Sequence, residues 1–171
     1  MSPRGAARRQ LIVDAARDRF TTLGYEGTTI GDLASELGIS KAAVAYYFPT
    51  KDTFLDEFVT PFVDALAERV AAADGRVEAV RAYLGVIVEH HDLAIWIDTD
   101  PAIQNDLRFG GRLSEINRVV TKHFTGPSRK RADSIRALGV LGGLWRPARE
   151  ITTDELITHF DEIVDAAVAS Y

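Results

Sequence analysis

The chain has 171 residues, of which 46% are hydrophobic and 26% charged. This length and balance are typical of a globular protein with a sizeable core and exclude a disordered chain. Cysteine is absent, which excludes disulfide frameworks and cysteine-based metal or redox sites.

The charge is unevenly divided along the chain. Residues 1–51 carry seven basic and five acidic residues, whereas the remainder carries thirteen basic and twenty acidic residues. Such an asymmetry favours two regions that face different partners, although chance variation along an ordinary surface is the alternative. The N-terminus lacks the apolar run of a signal peptide, and no apolar stretch is long enough to span a bilayer. We therefore expect a cytoplasmic protein with no membrane partner.

Helical spacing begins in the first predicted element. Ile12, Ala15, Ala16 and Phe20 form one apolar stripe, and Gly24 supplies a residue that commonly stops a helix. The arginines that precede this stripe, Arg4, Arg8 and Arg9, are predicted to form either a flexible arm or a solvated tail.

Two short helices follow with very little chain between them. Thr29 and Asp32 form a possible capping box for the first, and Ser40 is the expected N-cap of the second. Because only Gly38 and Ile39 separate the two helices, they must turn sharply against each other, which is the helix-turn-helix arrangement.

The second short helix has an unusual outer face. At about 100° per residue, Val44 and Phe48 define its buried edge and Tyr46 points nearly opposite. Small alanines beside exposed phenols suit a helix that enters the DNA major groove. Lys51, just beyond Pro49, is well placed to meet a phosphate.

The rest of the chain is also predicted to be helical. A long helix with Pro61 inside it carries the apolar spacing from Phe54 to Leu66, and further helices follow up to a break at Gly126-Pro127. Another helix runs from Ser128 to Pro147, and a last one begins at the possible capping box of Thr152 and Glu155. The fold class is all-α, with roughly nine helices.

The stretch from Phe20 to Leu55, FTTLGYEGTTIGDLASELGISKAAVAYYFPTKDTFL, resembles the DNA-binding region of the TetR (tetracycline-repressor-like) family of bacterial regulators. The resemblance implies a three-helix DNA-binding domain at residues 1–51 and a roughly six-helix effector-binding and dimerisation domain at residues 52–171. It also implies no catalysis, no cofactor and no metal.

The residues that the resemblance brings to DNA are Thr29, Lys41, Ala42, Ala43, Tyr46, Tyr47 and Lys51. We assign Thr29, Tyr47 and Lys51 mainly to phosphates and Lys41 to a base edge, while Tyr46 suits either. The alternatives are N-capping for Thr29, packing for Tyr47 and a solvated side chain for Lys51. Ala42 and Ala45 depart from the family pattern, since Ala45 stands where a tyrosine usually contacts DNA, and base readout would then use Lys41 and alanine methyls.

Members of this family dimerise through their last helices and bind an effector in the second domain. The resemblance thus implies a homodimer on a palindromic operator, most often a repressor that a small apolar or amphipathic molecule releases. The expected dimer residues are Leu138, Leu141, Gly142, Trp145, Phe160, Ile163 and Val164. The expected pocket residues, for each of which an ordinary core role is the alternative, are Phe58, Phe62, Tyr83, Ile87, His90, Trp96, Phe109 and Leu113.

Two other interpretations remain open. A regulator of the same fold that a protein partner controls, with no small effector, has the same DNA-binding sequence. A metal-dependent hydrolase using His91 and Asp92, with Asp98 and Asp100 as further carboxylates, is the enzymatic alternative. Such a site needs imidazoles and carboxylates converging from several helices, and the chain has four histidines.

Overall fold

The computed structural model describes residues 2–128 and 130–171, and within them every regular element is an α-helix. Arg129, in the segment predicted to be helical from Ser128, lies outside the described residues. The helices are α1 Pro3–Leu23, α2 Ile30–Glu36, α3 Lys41–Tyr47, α4 Asp52–Ala71, α5 Arg76–Glu89, α6 His91–Thr99, α7 Pro101–Gln104, α8 Gly110–Thr125, α9 Arg131–Glu150, α10 Thr153–Thr158 and α11 Phe160–Ala169. The all-α prediction is confirmed, and in the described chain eight helical segments rather than roughly six follow the first three.

α1 begins earlier than its apolar stripe indicated. Ser2 caps it by accepting a hydrogen bond from the backbone N–H of Gly5, and Pro3 occupies the first turn, where its missing N–H costs nothing. Arg4, Arg8 and Arg9 therefore lie on a helix, and the prediction that they form a flexible arm is wrong.

The helix-turn-helix is built by the caps that the sequence predicted. Thr29 and Asp32 form a complete capping box at α2, and the Ser40 hydroxyl accepts from the backbone N–H of Ala43 at α3. Gly38 adopts a φ of 63° between them, a conformation that a side chain disfavours. Leu33, Ala34 and Val44 are buried where the two helices meet.

Two prolines lie inside helices. α4 continues through Pro61, as the apolar spacing predicted. α9 continues for one turn beyond Pro147 to Glu150, although Pro147 was expected to end it. The buried side chain of Ala148 keeps this last turn packed on the core, and the carbonyl of Pro147 accepts from the backbone N–H of Ile151.

The C-terminal helix is divided. Both partners of the predicted capping box at α10, Thr152 and Glu155, are in place. His159, with φ −103° and ψ 19°, leaves the helical conformation and separates α10 from α11.

The first three helices share a core with those that follow. The Phe48 ring stacks on Phe54 of α4 at 4.2 Å between centroids, and the Phe20 ring of α1 stacks on Trp96 of α6 at 5.8 Å. The proposed domain boundary after residue 51 is thus crossed by packed aromatic side chains. Among the described residues, no helix has both the length and the apolar character needed to cross a membrane.

Candidate nucleic-acid interface and ligand core

The outer face of α3 presents aromatic side chains to solvent. Tyr46 is 80% exposed, whereas Val44 and Phe48 on the opposite edge are buried. Tyr47 is half-buried, and its ring meets that of Tyr46 edge to face at 5.0 Å. Ala42 is exposed and Ala43 half-buried, so small side chains flank the tyrosines. The surface thus offers phenols on a helix that can approach a groove closely.

Thr29 is occupied by its capping role. Its hydroxyl accepts from the backbone N–H of Asp32 at 3.1 Å and donates to the carboxylate of Asp32 at 2.7 Å. These hydrogen bonds from Thr29 hold the pKa of Asp32 below its ordinary value. Because Thr29 is exposed, capping and a contact with DNA are compatible.

The side chains of Lys41 and Lys51 differ in exposure and in their contacts within the chain. Lys41 is exposed, and its ammonium lies over Gly31, so close that a Cβ built there would come within 2.8 Å of Nζ. Lys51 is held inside the chain, since its Nζ donates to the carbonyl of Tyr25 at 2.8 Å and lies 3.9 Å from the centre of the Tyr25 ring. Its side chain is 21% exposed, so the solvated alternative for Lys51 does not hold.

The sequence did not single out Arg9 as a residue beside α3. Its guanidinium pairs with Glu57 of α4 and lies 5.0 Å from the centre of the Phe48 ring. Together with Ser2 and Gly5 it lines an open groove of about 540 Å³ beside Tyr46 and Tyr47.

The candidate ligand core is nearly filled. Phe62, Tyr83 and Leu113 line a cavity of about 50 Å³, which is far below the volume of typical ligand pockets, about 300–1,000 Å³. The other lining residues, not predicted as pocket residues, are Ile97, Asp98, Gln104, Asn117 and Trp145.

A polar chain crosses this cavity. The Trp145 indole N–H donates to the Tyr83 hydroxyl at 3.2 Å, and this hydroxyl donates to the Asn117 side-chain oxygen at 2.9 Å. Burial raises the pKa of Tyr83 to about 12, so its phenol stays protonated at neutral pH. The polar groups that this cavity offers to a ligand are therefore those of Tyr83 and Asn117.

The remaining predicted pocket residues lie elsewhere. Phe58 and Trp96 pack against Phe20 where α1 meets α4 and α6, because their rings complete an aromatic cluster. Ile87 and Phe109 are buried in the core without lining the cavity. His90, also expected in the pocket, is half-buried at the end of α5, and burial lowers its pKa. The placement of these five residues in one pocket is wrong.

The predicted dimer residues separate into two groups. Leu138, at 50% exposed, and Gly142 lie on the outer face of α9, and Ile163 lines a groove of about 390 Å³ between α9 and α11. The others are engaged within the chain.

Burial corrects two of the predicted dimer residues, whereas two others are half-buried and make contacts within the chain. Leu141 and Val164 are buried in the core and have no surface to offer a partner. Trp145 donates to Tyr83, and the Phe160 ring lies 5.9 Å from the guanidinium of Arg81 on α5. A helix turns by 100° per residue, so neighbours of an exposed position readily face inward.

The hydrolase alternative is not supported by the surroundings of His91. Both ring nitrogens make hydrogen bonds within the chain, Nε2 with the Ala148 carbonyl at 2.6 Å and Nδ1 with the Thr153 hydroxyl at 2.8 Å. Asp98 is paired with Arg149. Within residues 2–128 and 130–171 no three metal-binding side chains of the His, Cys, Asp or Glu type converge. His91 fastens α6 to the end of α9 and the start of α10.

Known proteins share both the sequence motif and the fold. Residues 12–58 match the family model described as bacterial regulatory proteins, tetR family. The chain is 26% identical over 162 residues to the HTH-type transcriptional repressor AcnR of Corynebacterium diphtheriae, an alignment that covers 95% of this chain and 80% of that protein.

Two solved structures have the same fold. A transcriptional regulator from Aquifex aeolicus superposes with a TM-score of 0.71 at 14% identity, over 95% of this chain and 99% of that one. AibR, solved in complex with isovaleryl coenzyme A and operator DNA, gives a TM-score of 0.67 at 18% identity, over 94% and 96% of the two chains. Residues 12–58 thus match the tetR family of bacterial regulatory proteins, and the repressor that aligns along nearly the whole chain is a regulator of transcription rather than an enzyme.

Proposed function

We propose that the protein is a dimeric, sequence-reading repressor that places α3 of each protomer in the DNA major groove. The observation that carries the proposal is the 80% exposure of Tyr46 on a short helix that is otherwise capped, packed and flanked by alanines. An exposed phenol contributes little to the folding of the chain. Its hydroxyl can form hydrogen bonds to phosphates or base edges. Because bacterial operator DNA lies in the cytoplasm, this is where we place the protein.

Charges around α3 support the roles proposed for the other contact residues. Lys41 is free to reach a base edge, and Tyr47 and Thr29 border the same surface. Lys51 keeps N–H groups beyond the one given to Tyr25, so a phosphate can bind without breaking that bond. Residues 1–51 are net positive while the rest is net negative, which orients the first three helices toward DNA.

A second copy of the chain is the proposed partner of the outer face of α9. Ile135 and Leu138 are 56% and 50% exposed there, beside Gly139, Gly142 and Gly143. Apart from the backbone of α9 itself and the adjacent residues, a Cβ built on any of these three glycines would meet no described atom within 4 Å, so packing inside the protomer does not require them. Because each costs a helix about 1 kcal/mol relative to alanine, close approach of a partner helix is the proposed reason for them. A two-fold dimer implies a palindromic operator.

The proposed effector is a small apolar or amphipathic molecule that enters the core at the Tyr83–Asn117 pair. The cavity there is too small for such a ligand, so binding requires Phe62, Leu113 and Trp145 to move apart. The AibR structure, with isovaleryl coenzyme A bound, gives one example of an acyl ligand on this fold. Release from DNA would follow if the opened conformer spaces the two α3 helices wrongly.

A regulator without a small effector is the second candidate, and the small volume of the cavity at Tyr83 favours it. A thermal-shift screen separates the two, because a ligand present at 100 times its dissociation constant stabilises the folded protein by about 2.7 kcal/mol. Acyl-coenzyme A thioesters and free fatty acids are the first compounds to screen. A raised Tm that Tyr83→Phe weakens supports the effector, whereas a flat screen supports control by a protein partner.

Selection of duplexes from random DNA by the purified protein tests the main proposal. We expect a palindromic consensus whose half-sites lie about one helical turn apart or slightly more. A set of enriched duplexes without two-fold symmetry would contradict the dimer, and no enrichment at any salt concentration would contradict sequence reading. The Ala45→Tyr variant is an informative companion, since restoring the usual tyrosine should sharpen the consensus.

A further inference from the structure

Asp100 is a buried carboxylate at the corner between α6 and α7. It is 9% exposed and receives three hydrogen bonds. Its Oδ2 accepts from the indole N–H of Trp96 and from the backbone N–H of Tyr25, both at 2.7 Å. Its Oδ1 accepts from the backbone N–H of Ala102 at 2.9 Å, which caps α7. The Tyr25 amide belongs to the turn between α1 and α2, so one side chain joins α6 to the three helices that we define as the reading head, residues 2–51.

From Tyr25 the connection continues to α4. The Tyr25 carbonyl accepts from Lys51, and the Lys51 ammonium lies over the Tyr25 ring. The Tyr25 hydroxyl donates to Asp52 in the first turn of α4. Tyr25 thus links Asp100 to the residue proposed to meet a phosphate, through groups that are in direct contact.

The turn is shaped for the approach of this carboxylate. Gly24 has a φ of 78°, in the region that favours glycine, and a Cβ there would lie 3.4 Å from Oδ2 of Asp100. Beside the hydrogen bonds, the Phe20 and Trp96 rings lie nearly parallel, 9° apart. Polar and apolar contacts therefore fix the same two elements, the end of α1 and α6.

A buried carboxylate is stable in this position only while all its hydrogen-bond donors are in place. If α6 slides away from the turn, Asp100 loses the Tyr25 amide, and the amide in turn loses its acceptor in a buried place. Unpaired buried groups are costly, so the junction favours a fully made or fully broken state over intermediate ones. A two-state contact of this kind is what a switch between two head orientations requires.

We propose that Asp100 is a positioning residue that holds the reading head against α6 in the orientation that binds DNA. This inference rests on the proposed function and names a route for its regulation: movement of α6 reaches the head through Asp100 and Tyr25, in addition to the continuous helix α4. An event in the core that displaces α6 would break the contact and release the head.

The test compares Asp100→Asn with the control Asp92→Asn. Asn at 100 keeps the shape but replaces one acceptor oxygen by an NH₂ group, and Asp92 is an exposed carboxylate on the same helix. Binding is measured to the duplex selected by the wild-type protein. We expect D100N to bind it at least about tenfold more weakly, the change produced by losing one hydrogen bond to a charged group, and D92N to bind it like the wild type.

A measurement of position separates this role from a general structural one. Because the chain has no cysteine, Ser35→Cys and Arg76→Cys introduce one spin label on α2 and one on α5. Labelled chains diluted in unlabelled protein report the distance within one protomer. D100N should broaden this distance distribution, and amide exchange at Tyr25 should accelerate about tenfold while exchange in α5 is unchanged.

The outcomes decide separately on the inference and on the proposed function. Equal DNA affinity and an unchanged distance distribution in D100N would overturn the inference and leave the repressor intact. A protein that selects no DNA overturns the proposed function, and the distance and exchange data then still decide whether Asp100 holds the head. If D100N does not fold, hydrogen exchange of the Tyr25 amide in the wild-type protein is the deciding measurement. Protection like that of α1 supports the contact, and exchange as fast as in an unstructured peptide refutes it.

Discussion

Tyr46→Phe removes one exposed hydroxyl and changes almost nothing else. The side chain is 80% exposed, so the substitution affects little packing in the free protein. A hydrogen bond of this kind contributes about 1 kcal/mol, and a two-fold dimer loses two of them, about 2 kcal/mol in all. We expect operator binding to weaken by roughly thirtyfold.

The stability of the free protein should hardly change. An exposed substitution away from special contacts alters the free energy of unfolding by less than about 0.5 kcal/mol, a Tm shift below about 2 °C for a chain of this size. Fluorescence anisotropy with the selected operator and a thermal melt are the two assays. Tyr171→Phe removes the hydroxyl of a half-buried tyrosine at the opposite end of the chain, and this control should match the wild type in operator binding.

Two results would refute this reasoning. Unchanged affinity in both Tyr46→Phe and Tyr46→Ala would show that the outer face of α3 does not touch DNA. A large loss of Tm would instead assign Tyr46 to packing. Tyr47→Ala is a poorer probe, because Tyr47 is half-buried and we expect its removal to reduce stability as well as binding.

Three further predictions concern single residues. Lys51→Met should lower the salt slope of log K by about 1 for each phosphate that the side chain neutralises. It should also lower the free energy of unfolding by about 1 kcal/mol, because the ammonium no longer binds Tyr25. An unchanged slope would leave Lys51 a packing role alone. Leu138→Glu should convert the dimer to a monomer in light scattering, while Leu107→Glu, at a 96% exposed site between α7 and α8, should not; a dimeric L138E protein would move the interface to another face. The Asp32 pKa is lowered in the folded state, so its stabilising effect is present above the ordinary value of 3.8 and is lost as pH falls through the lowered pKa. Amide exchange in α2 should therefore accelerate in acid, and Asp32→Asn should remove that pH dependence; equal acceleration in both proteins would contradict it.

Local chemistry made the helix caps and turns predictable. The capping boxes at Thr29 and Thr152, the N-cap at Ser40 and the glycine turn at Gly38 all depend on residues within a few positions of each other. The same locality explains why Tyr46 was correctly expected to face outward, since a seven-residue helix has one buried edge.

The ligand core and the dimer face were less predictable, because helical periodicity gives an apolar stripe but not its partner. Trp145 lies on a stripe that either a second chain or the chain's own core can cover, and it donates to Tyr83. Phe58 and Trp96 have the composition of pocket residues, yet they close the junction around Phe20. Asp100 reads as one more carboxylate in a polar segment, and nothing nearby in the sequence indicates that Tyr25 is its partner.

The sequence by itself determined the all-α class, the helix-turn-helix and its outward tyrosines, since caps, turns and periodicity act over a few residues. Only the tertiary structure decided which apolar faces meet, that the predicted pocket is nearly filled, and that Asp100 joins α6 to the turn after α1. These contacts join residues dozens of positions apart, and they depend on how whole helices pack. Many arrangements satisfy the same periodicity, and side-chain shape and buried hydrogen bonding select among them.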